Sequence, residues 1–229
     1  MYIKFFKRVL DIICATAAII VFSWLFAVIA IFVKVKLGGP VIFMQKRPGY
    51  NEKIFTLYKF RTMTNEVDKN GKPLSDAQRL TEFGRLLRLT SLDELPEAWN
   101  ILMGDMSIIG PRPQLVKDLV FMTEEQRKRH DIRPGLSGLA QIRGRNAISW
   151  EKRIEADLEY IQNVSFIEDV KILFMTIKKF ISCEDVTSEG MDTSEDLGDY
   201  LLRTGLIDRY EYDNKIGISK ALLTGAGKV

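Results

Sequence analysis

The chain has 229 residues, 46% hydrophobic and 28% charged, a balance that excludes a disordered polymer and suits one domain of ordinary size with appendages. The net charge of +3 conceals an asymmetry: residues 184–229 hold 10 acidic and 5 basic side chains, which leaves 20 acidic and 28 basic ones, a net of +8, in residues 1–183, so the body suits an anionic partner such as phosphates, nucleic acid or a lipid surface. Two distant cysteines, Cys14 and Cys183, and a single histidine, His130, exclude a disulfide framework, a CxxC zinc pair and a histidine metal cluster, and no P-loop or GxGxxG occurs.

Residues 12–33, IICATAAIIVFSWLFAVIAIFV, carry no charge. As one helix, these 22 residues reach about 33 Å, enough for a hydrocarbon core of about 30 Å. A core helix would show a polar stripe, and a cleaved signal peptide would be shorter, so membrane insertion is expected. Lys4, Lys7 and Arg8 precede the segment and Lys34 and Lys36 follow it, which gives the positive-inside rule nothing to choose between. A re-entrant helix would satisfy both flanks, yet the segment has no proline or glycine to break it. A back-bond from Ser23 to the carbonyl four residues earlier is the one available bending device, and a straight span stays open.

After Lys36, GGPVIFMQKRPGYNEKIFTLYKFRTM reads as a hairpin over residues 41–60 with its turn at Pro48-Gly49-Tyr50-Asn51. It ends in Lys59-Phe60-Arg61, either a phosphate-binding pair of cations or a solvated strand end. Residues 65–78 are polar and read as an exposed loop with a turn at Asn70-Gly71. RLTEFGRLLRL follows as an arginine-rich amphipathic helix, able to pack on the domain or to lie among lipid headgroups.

In SLDELPEAWNILMGDMSIIGPRP, residues 91–113, Pro96 belongs to a first helical turn, so a helix carrying Leu95, Trp99 and Leu102 should start around residues 93–96 and close at Gly104. Asp93 and Glu94 then stand at its N-terminus. They are either a cap that suits the helix dipole or ionised carboxylates available as nucleophile or metal ligand. Arg112, stiffened between Pro111 and Pro113, is suited to a bidentate phosphate contact. Further on, Ser149 caps a helix running to about Ile161, and residues 165–181 form an amphipathic stripe of Ile167, Val170, Leu173, Phe174, Ile177 and Ile181. The plainer use of that stripe is to pack on a sheet.

KRVLDII (7–13), KFRTM (59–63), SLDELPEAWNILMGDMSIIGPRP (91–113) and RHDIRPGLSGLAQIRGRNAISWE (129–151) occur in an order that resembles the bacterial sugar transferase family, the small monotopic phosphoglycosyl transferases, over about residues 1–185. The likeness is greatest to the short form that starts the lipid-linked glycan of bacterial protein N-glycosylation. The resemblance implies that Asp93 attacks the sugar-proximal phosphorus of a UDP-sugar, that UMP leaves, and that undecaprenyl phosphate takes the phosphosugar from the carboxylate. It implies Mg²⁺ held by Asp93 and Glu94, phosphate contact by Arg112, and weaker candidates in Lys59, Arg61, Arg88 and Arg145, with the acids Asp157 and Asp169 near the site. It further implies a re-entrant N-terminal helix and a place on the cytoplasmic face of the bacterial inner membrane. The partners it implies are a UDP-sugar donor, membrane lipid and downstream glycosyltransferases, and no nucleic acid. The family's helix breaks at a Ser-Pro pair, where this chain has Ser23-Trp24. Residues from about 186 exceed the short pattern, and Leu197, Leu201, Leu202 and Leu206 there suit a helix that docks on the core or on a partner.

The expected fold is α/β: a compact membrane-associated domain with a small sheet including the hairpin, interfacial amphipathic helices and the inserted N-terminal helix. It is not doubly wound, since no βαβ alternation is visible. The expected division is 1–36 membrane helix, 37–185 catalytic domain and 186–229 acidic extension. The expected donor is an N-acetylated UDP-sugar, with UDP-glucose or UDP-galactose as the near alternative. A basic membrane-tethered binding module without catalysis is the alternative of another class, and it would leave the Asp-Glu pair unused.

Overall fold

The computed structural model describes residues 2–144, 148–182 and 195–224. The chain forms two compact units, one of Met1–Gln45, Leu57–Gly104 and Lys179–Ser194, the other of Lys46–Thr56, Asp105–Lys178 and Glu195–Val229.

In the first unit, the N-terminal apolar run is two helices, α1 (Lys7–Val21) and α2 (Ser23–Leu37), bent by 63° across Phe22. The straight span does not form: among the described residues no single helix is long and apolar enough to cross a membrane. The Ser23 hydroxyl donates to the Ile20 carbonyl at 2.9 Å, three residues back, so it occupies an oxygen that a straight helix would use itself. The buried face of α1 is Lys7, Asp11 and Ala15, while Leu10, Ile13, Ile20 and Val21 are exposed. A helix with its charges inward and its aliphatic side chains outward inverts the usual soluble pattern. In α2 the stripe Ile29, Val33 and Leu37, spaced four residues apart, packs with Phe60 and Leu87, and Trp24, Ile31 and Val35 face outward.

Strands β1 (Ile42–Pro48) and β2 (Ile54–Phe60) form the expected hairpin. On β2, Phe55 and Leu57 are buried in alternation. A short α3 (Asp76–Arg79) follows the polar loop, then α4 (Glu82–Leu89), whose Thr81 cap accepts from the Gly84 amide at 3.1 Å. Gly84 lies so close to Thr62 that a Cβ there would stand 1.8 Å from the Thr62 carbonyl oxygen. Helix α5 (Glu97–Met103) ends at Gly104, whose φ of 94° is the left-handed C-cap expected of it.

In the second unit, β3 (Ser107–Ile109) and β4 (Gly135–Ser137) run parallel in the register Ser107 to Gly135 and Ile109 to Ser137. Between them lie α6 (Val116–Leu119) and α7 (Glu124–Arg127), so one parallel crossover exists where none was expected. Each strand has three residues, too few to show a period. The described strands thus make two separate two-stranded sheets. Helices α8 (Leu139–Gly144), α9 (Trp150–Gln162) and α10 (Phe166–Ser182) follow. Ile109, Ile132, Ile142, Tyr160 and Ile172 form their core. The α10 stripe does not pack on a sheet. Ile172 and Asp169 are its buried contacts, and Ile167, Val170, Leu173, Phe174 and Ile177 are all exposed. The extension forms α11 (Leu197–Arg203) and α12 (Arg209–Thr224), which dock through Leu197, Leu201, Tyr212 and Ile216 on Phe121, Trp150 and Ile154. Leu206 stays exposed.

His130 is buried in this unit, its Nδ1 donating to the Arg127 carbonyl at 3.1 Å. Burial first, then the Arg129 charge, lowers its pKa from 6.5 to about 3. Above pH 6.5 the ring is neutral in folded and unfolded chains alike. Between pH 6.5 and about 3 only the unfolded chain takes the proton, so stability falls as pH falls. A loss of about 2 kcal/mol between pH 6.5 and 5 is expected from this ring. Denaturant titration of the wild type and His130→Gln across that range measures it, and the variant should lack this component.

Separately, Gly84→Ala should cost about 1–3 kcal/mol by forcing α4 off the Thr62 backbone. A drop of several degrees in the thermal midpoint in detergent is expected, and an unchanged midpoint would contradict the close packing.

Candidate active site

The turn bearing Asp93 and Glu94 is built by three local devices. Ser91 adopts a left-handed conformation, φ 50° and ψ 19°, which costs a residue with a Cβ about 1 kcal/mol or more. Leu92–Glu94 then form one 3-10 turn. Pro96, lacking an N–H, sits at the cap position of α5, so that helix starts at Glu97, just beyond the expected 93–96. The cap positions of the two helical segments belong to Ser91 and Pro96, and neither makes a side-chain cap bond. Asp93 is therefore placed at neither cap; it lies inside the 3-10 turn and is 7% exposed.

Lys59, at the end of β2, reaches both carboxylates that flank Pro96. Its ammonium lies 2.6 Å from Glu94 Oε1 and 3.0 Å from Glu97 Oε1. Glu97 is 2% exposed. One residue earlier on β2, the Tyr58 amide donates to Asn100 Oδ1 at 3.1 Å, and Asn100 is wholly buried. The far end of α5 is held by Arg8 of α1, which donates to the Ile101 carbonyl at 2.5 Å and the Leu102 carbonyl at 2.7 Å. A cation on the last carbonyls of α5 also suits its dipole.

Arg61 and Arg88, the other cations of this unit expected near the site, make contacts of their own. Arg61 is buried and donates to the Gly39 carbonyl at 2.6 Å and to the Leu37 carbonyl, where it closes α2. Desolvation lowers its pKa, though a guanidinium remains charged. Arg88 Nε donates to Thr62 Oγ1 at 3.1 Å, which joins α4 to the KFRTM segment.

In the second unit Arg112 is half-buried between the buried Pro111 and Pro113. Two backbone oxygens of this turn are pinned. The Arg112 carbonyl accepts from Arg129 Nη2 at 2.8 Å, and the Pro113 carbonyl from Arg47 Nη1 at 3.1 Å. Arg129 also holds Asp157 Oδ2 at 2.6 Å from Nη2 and 3.0 Å from Nε, both side chains being 2% exposed. Burial pushes the Asp157 carboxyl up, while the Arg129 charge and hydrogen bonds, and the charge of Arg153, pull it back. Asp169 accepts from the Tyr160 hydroxyl at 2.5 Å in the α9–α10 core. Arg145 lies outside the described residues. Glu97, Asn100, Arg8 and Arg129 were not singled out in the sequence. All four lie within the family-like stretches, which was their one signal; no spacing tied them to the site.

Magnesium takes one or two carboxylates and completes its octahedron with water and substrate phosphates. Among the described residues no three His, Cys, Asp or Glu side chains group to hold a metal by themselves. Adjacent carboxylates on Asp93 and Glu94, completed by phosphate oxygens, are a donor set of the required kind.

Comparison with known proteins gives one consistent result. Residues 2–183 match the family described as bacterial sugar transferase. The uncharacterized sugar transferase EpsL of Bacillus subtilis is 48% identical over 195 residues, 82% of this chain and 94% of its own length. A UDP-glucose:undecaprenyl-phosphate glucose-1-phosphate transferase of Klebsiella pneumoniae is 42% identical over 184 residues, 76% of this chain and 40% of its own. A UDP-N-acetylgalactosamine-undecaprenyl-phosphate N-acetylgalactosaminephosphotransferase of Aeromonas hydrophila is 38% identical over 189 residues, 78% of this chain and 44% of its own. The chain thus spans less than half the length of the latter two.

Replacing Lys59 tests the clamp without substrate. Lys59→Met should lower stability by about 2 kcal/mol, the scale of hydrogen bonds to charged groups. Lys59→Arg should recover only part of that loss, since a planar fork does not occupy a point between two carboxylates in the same way. An unchanged denaturation midpoint for Lys59→Met would show that the ammonium is not a structural clamp.

Proposed function

The chain belongs to the bacterial sugar transferase family, and from that premise we propose that it moves a sugar-1-phosphate from a UDP-sugar to undecaprenyl phosphate with release of UMP. The observation that carries the reading is the Asp93-Glu94 turn, held on Lys59 within the stretch that matches the family. An Asp93 carboxylate oxygen attacks the sugar-proximal phosphorus and forms an acyl-phosphate bond. The phosphorus–oxygen bond to the other phosphate breaks, and UMP leaves with that bridging oxygen. A phosphate oxygen of undecaprenyl phosphate then attacks the same phosphorus, forms the diphosphate and restores the carboxylate. Splitting one displacement between anions into two gives each step a fixed partner. Bound Mg²⁺ would neutralise phosphate charge in both steps.

The chain's own residues take distinct parts in this reading. Glu94 orients the metal or the nucleophile, its position set by Lys59. Arg112 offers a guanidinium to a substrate phosphate, with its backbone fixed by Arg129. Arg88 and Arg145 are secondary phosphate candidates. Arg61 holds the joint between α2 and the hairpin, and Asp157 and Asp169 act through Arg129 and Tyr160.

The same reading includes a membrane seat. The bent α1–α2 pair enters the bilayer and returns, which leaves the cations of both flanks on one side and the exposed aliphatic side chains in lipid. The exposed face of α10, with Phe166, Ile167, Phe174 and Phe180, lies in the interface. An acceptor phosphate at headgroup depth and a cytosolic nucleotide then meet at the cytoplasmic face of the inner membrane. The donor in this reading is an N-acetylated UDP-sugar. The Klebsiella relative's name favours UDP-glucose as the second reading.

UMP release by the detergent-purified chain with Mg²⁺, undecaprenyl phosphate and a panel of UDP-sugars tests this. Release with one sugar, lowered by about three orders of magnitude in Asp93→Asn, is expected. Equal release by the variant would return Asp93 to a structural role, and no release with any donor would remove the enzyme reading.

A further inference from the structure

The extension Glu195–Thr224 lies beyond the stretch that matches the family, and its contacts concentrate on the ground just after the Pro-Arg-Pro turn. Asp118 is the junction. It is 2% exposed, and its two carboxylate oxygens divide between two backbone donors. Oδ2 accepts from the Leu115 amide at 3.0 Å, and Oδ1 accepts from the Leu197 amide, at the start of α11, at 2.9 Å. Leu115 is only two residues after Pro113. Beside this junction Lys117 pairs with Asp196, and Trp150 Nε1 donates to the Glu195 carbonyl at 3.0 Å. The Trp150 ring covers the Arg153 guanidinium at 4.5 Å, and Arg153 interacts with the charges of Asp157, Arg129, Asp118 and Arg112. Gly198 fits against Phe121 so closely that a Cβ would meet its ring at 2.5 Å.

The chemistry of Asp118 makes the junction two-sided. A buried carboxylate is tolerated when donors reach its oxygens. The Leu197 amide is therefore part of what lets Asp118 hold the start of α6, and through it the exit from the turn. Arg129 and Arg47 hold that turn by its own carbonyls, so the extension completes a third hold on the same short segment.

We propose that the C-terminal helix pair is a positioning element for Arg112, acting through Asp118 and Trp150. This rests on the reading that Arg112 binds a substrate phosphate. Asp118 and Trp150 are positioning residues that touch no substrate. Misplacing a guanidinium by a fraction of an ångström weakens the phosphate contact before it unfolds anything.

The test uses the full chain in detergent and measures kcat, KM for the UDP-sugar and the thermal midpoint of Asp118→Asn, Arg112→Ala and the double variant. An asparagine keeps the shape but offers one oxygen to two N–H donors. Asp118→Asn should raise KM about fivefold with kcat changed less than twofold, and should add nothing to Arg112→Ala. Trp150→Phe, which removes the indole N–H that reaches the Glu195 carbonyl together with part of the buried ring over Arg153, should show the same pattern and serves alone if Asp118→Asn does not fold. A lowered midpoint with unchanged KM would overturn the proposal, as would an equal KM increase in the Arg112→Ala background. Unchanged kinetics of Arg112→Ala itself would instead overturn the reading of Arg112, and the proposal with it.

Discussion

One ammonium group carries much of the arrangement around the dyad. Lys59 Nζ sits between Glu94 and Glu97, so strand β2, the 3-10 turn and the first turn of α5 meet at a single charge. Without a cation there, two carboxylates three residues apart, one of them almost fully buried, would repel each other and resist desolvation. With it, the turn that carries Asp93 acquires a fixed place relative to the hairpin. The left-handed Ser91 and the proline at 96 set the path of the backbone, and Lys59 sets where that path is held.

The hold extends outward along α5. Asn100 ties the helix to the Tyr58 amide, and Arg8 ties its last carbonyls to α1. Helix α1 turns Lys7 and Asp11 inward and its aliphatic side chains outward, an arrangement that is unfavourable in water and natural in lipid. The bend at Phe22 follows from the same economy of parts: no proline is present, and the Ser23 hydroxyl takes the Ile20 carbonyl instead. The outward-facing aliphatic helix and the turn that carries Asp93 are thus linked through α5 and one arginine within a single unit.

Features with a local cause were legible in the sequence. The hairpin at residues 41–60, the Ser149 cap, the Gly104 terminus and the place of Pro96 near the start of α5 each follow from a few neighbouring residues. The bend was legible only as a device, since a serine back-bond is weak beside the length of the apolar run. Features set by distant partners were not legible. Strands β3 and β4 are too short to show alternation, and their pairing depends on glycines that let the two backbones approach. The α10 stripe has the period of a packed helix, and nothing in its spacing says that it stays exposed. The roles of Glu97, Arg129 and Asp118 depend on partners 38, 17 and 79 positions away, in Lys59, the Arg112 carbonyl and Leu197. The Asp93-Glu94 pair was visible at once, but the same two letters describe a helix cap, and its place inside a 3-10 turn was not legible from spacing.

The central claim is a covalent phosphosugar on Asp93, and peptide-mapping mass spectrometry tests it most directly. The chain would be incubated with its UDP-sugar and Mg²⁺ in the absence of undecaprenyl phosphate, quenched in acid, digested and mapped. The account predicts a mass increase of one phosphosugar on the peptide containing Asp93, lost on addition of undecaprenyl phosphate and absent in Asp93→Asn. Turnover with no adduct on any acidic residue, or an adduct elsewhere that survives Asp93→Asn, would contradict it.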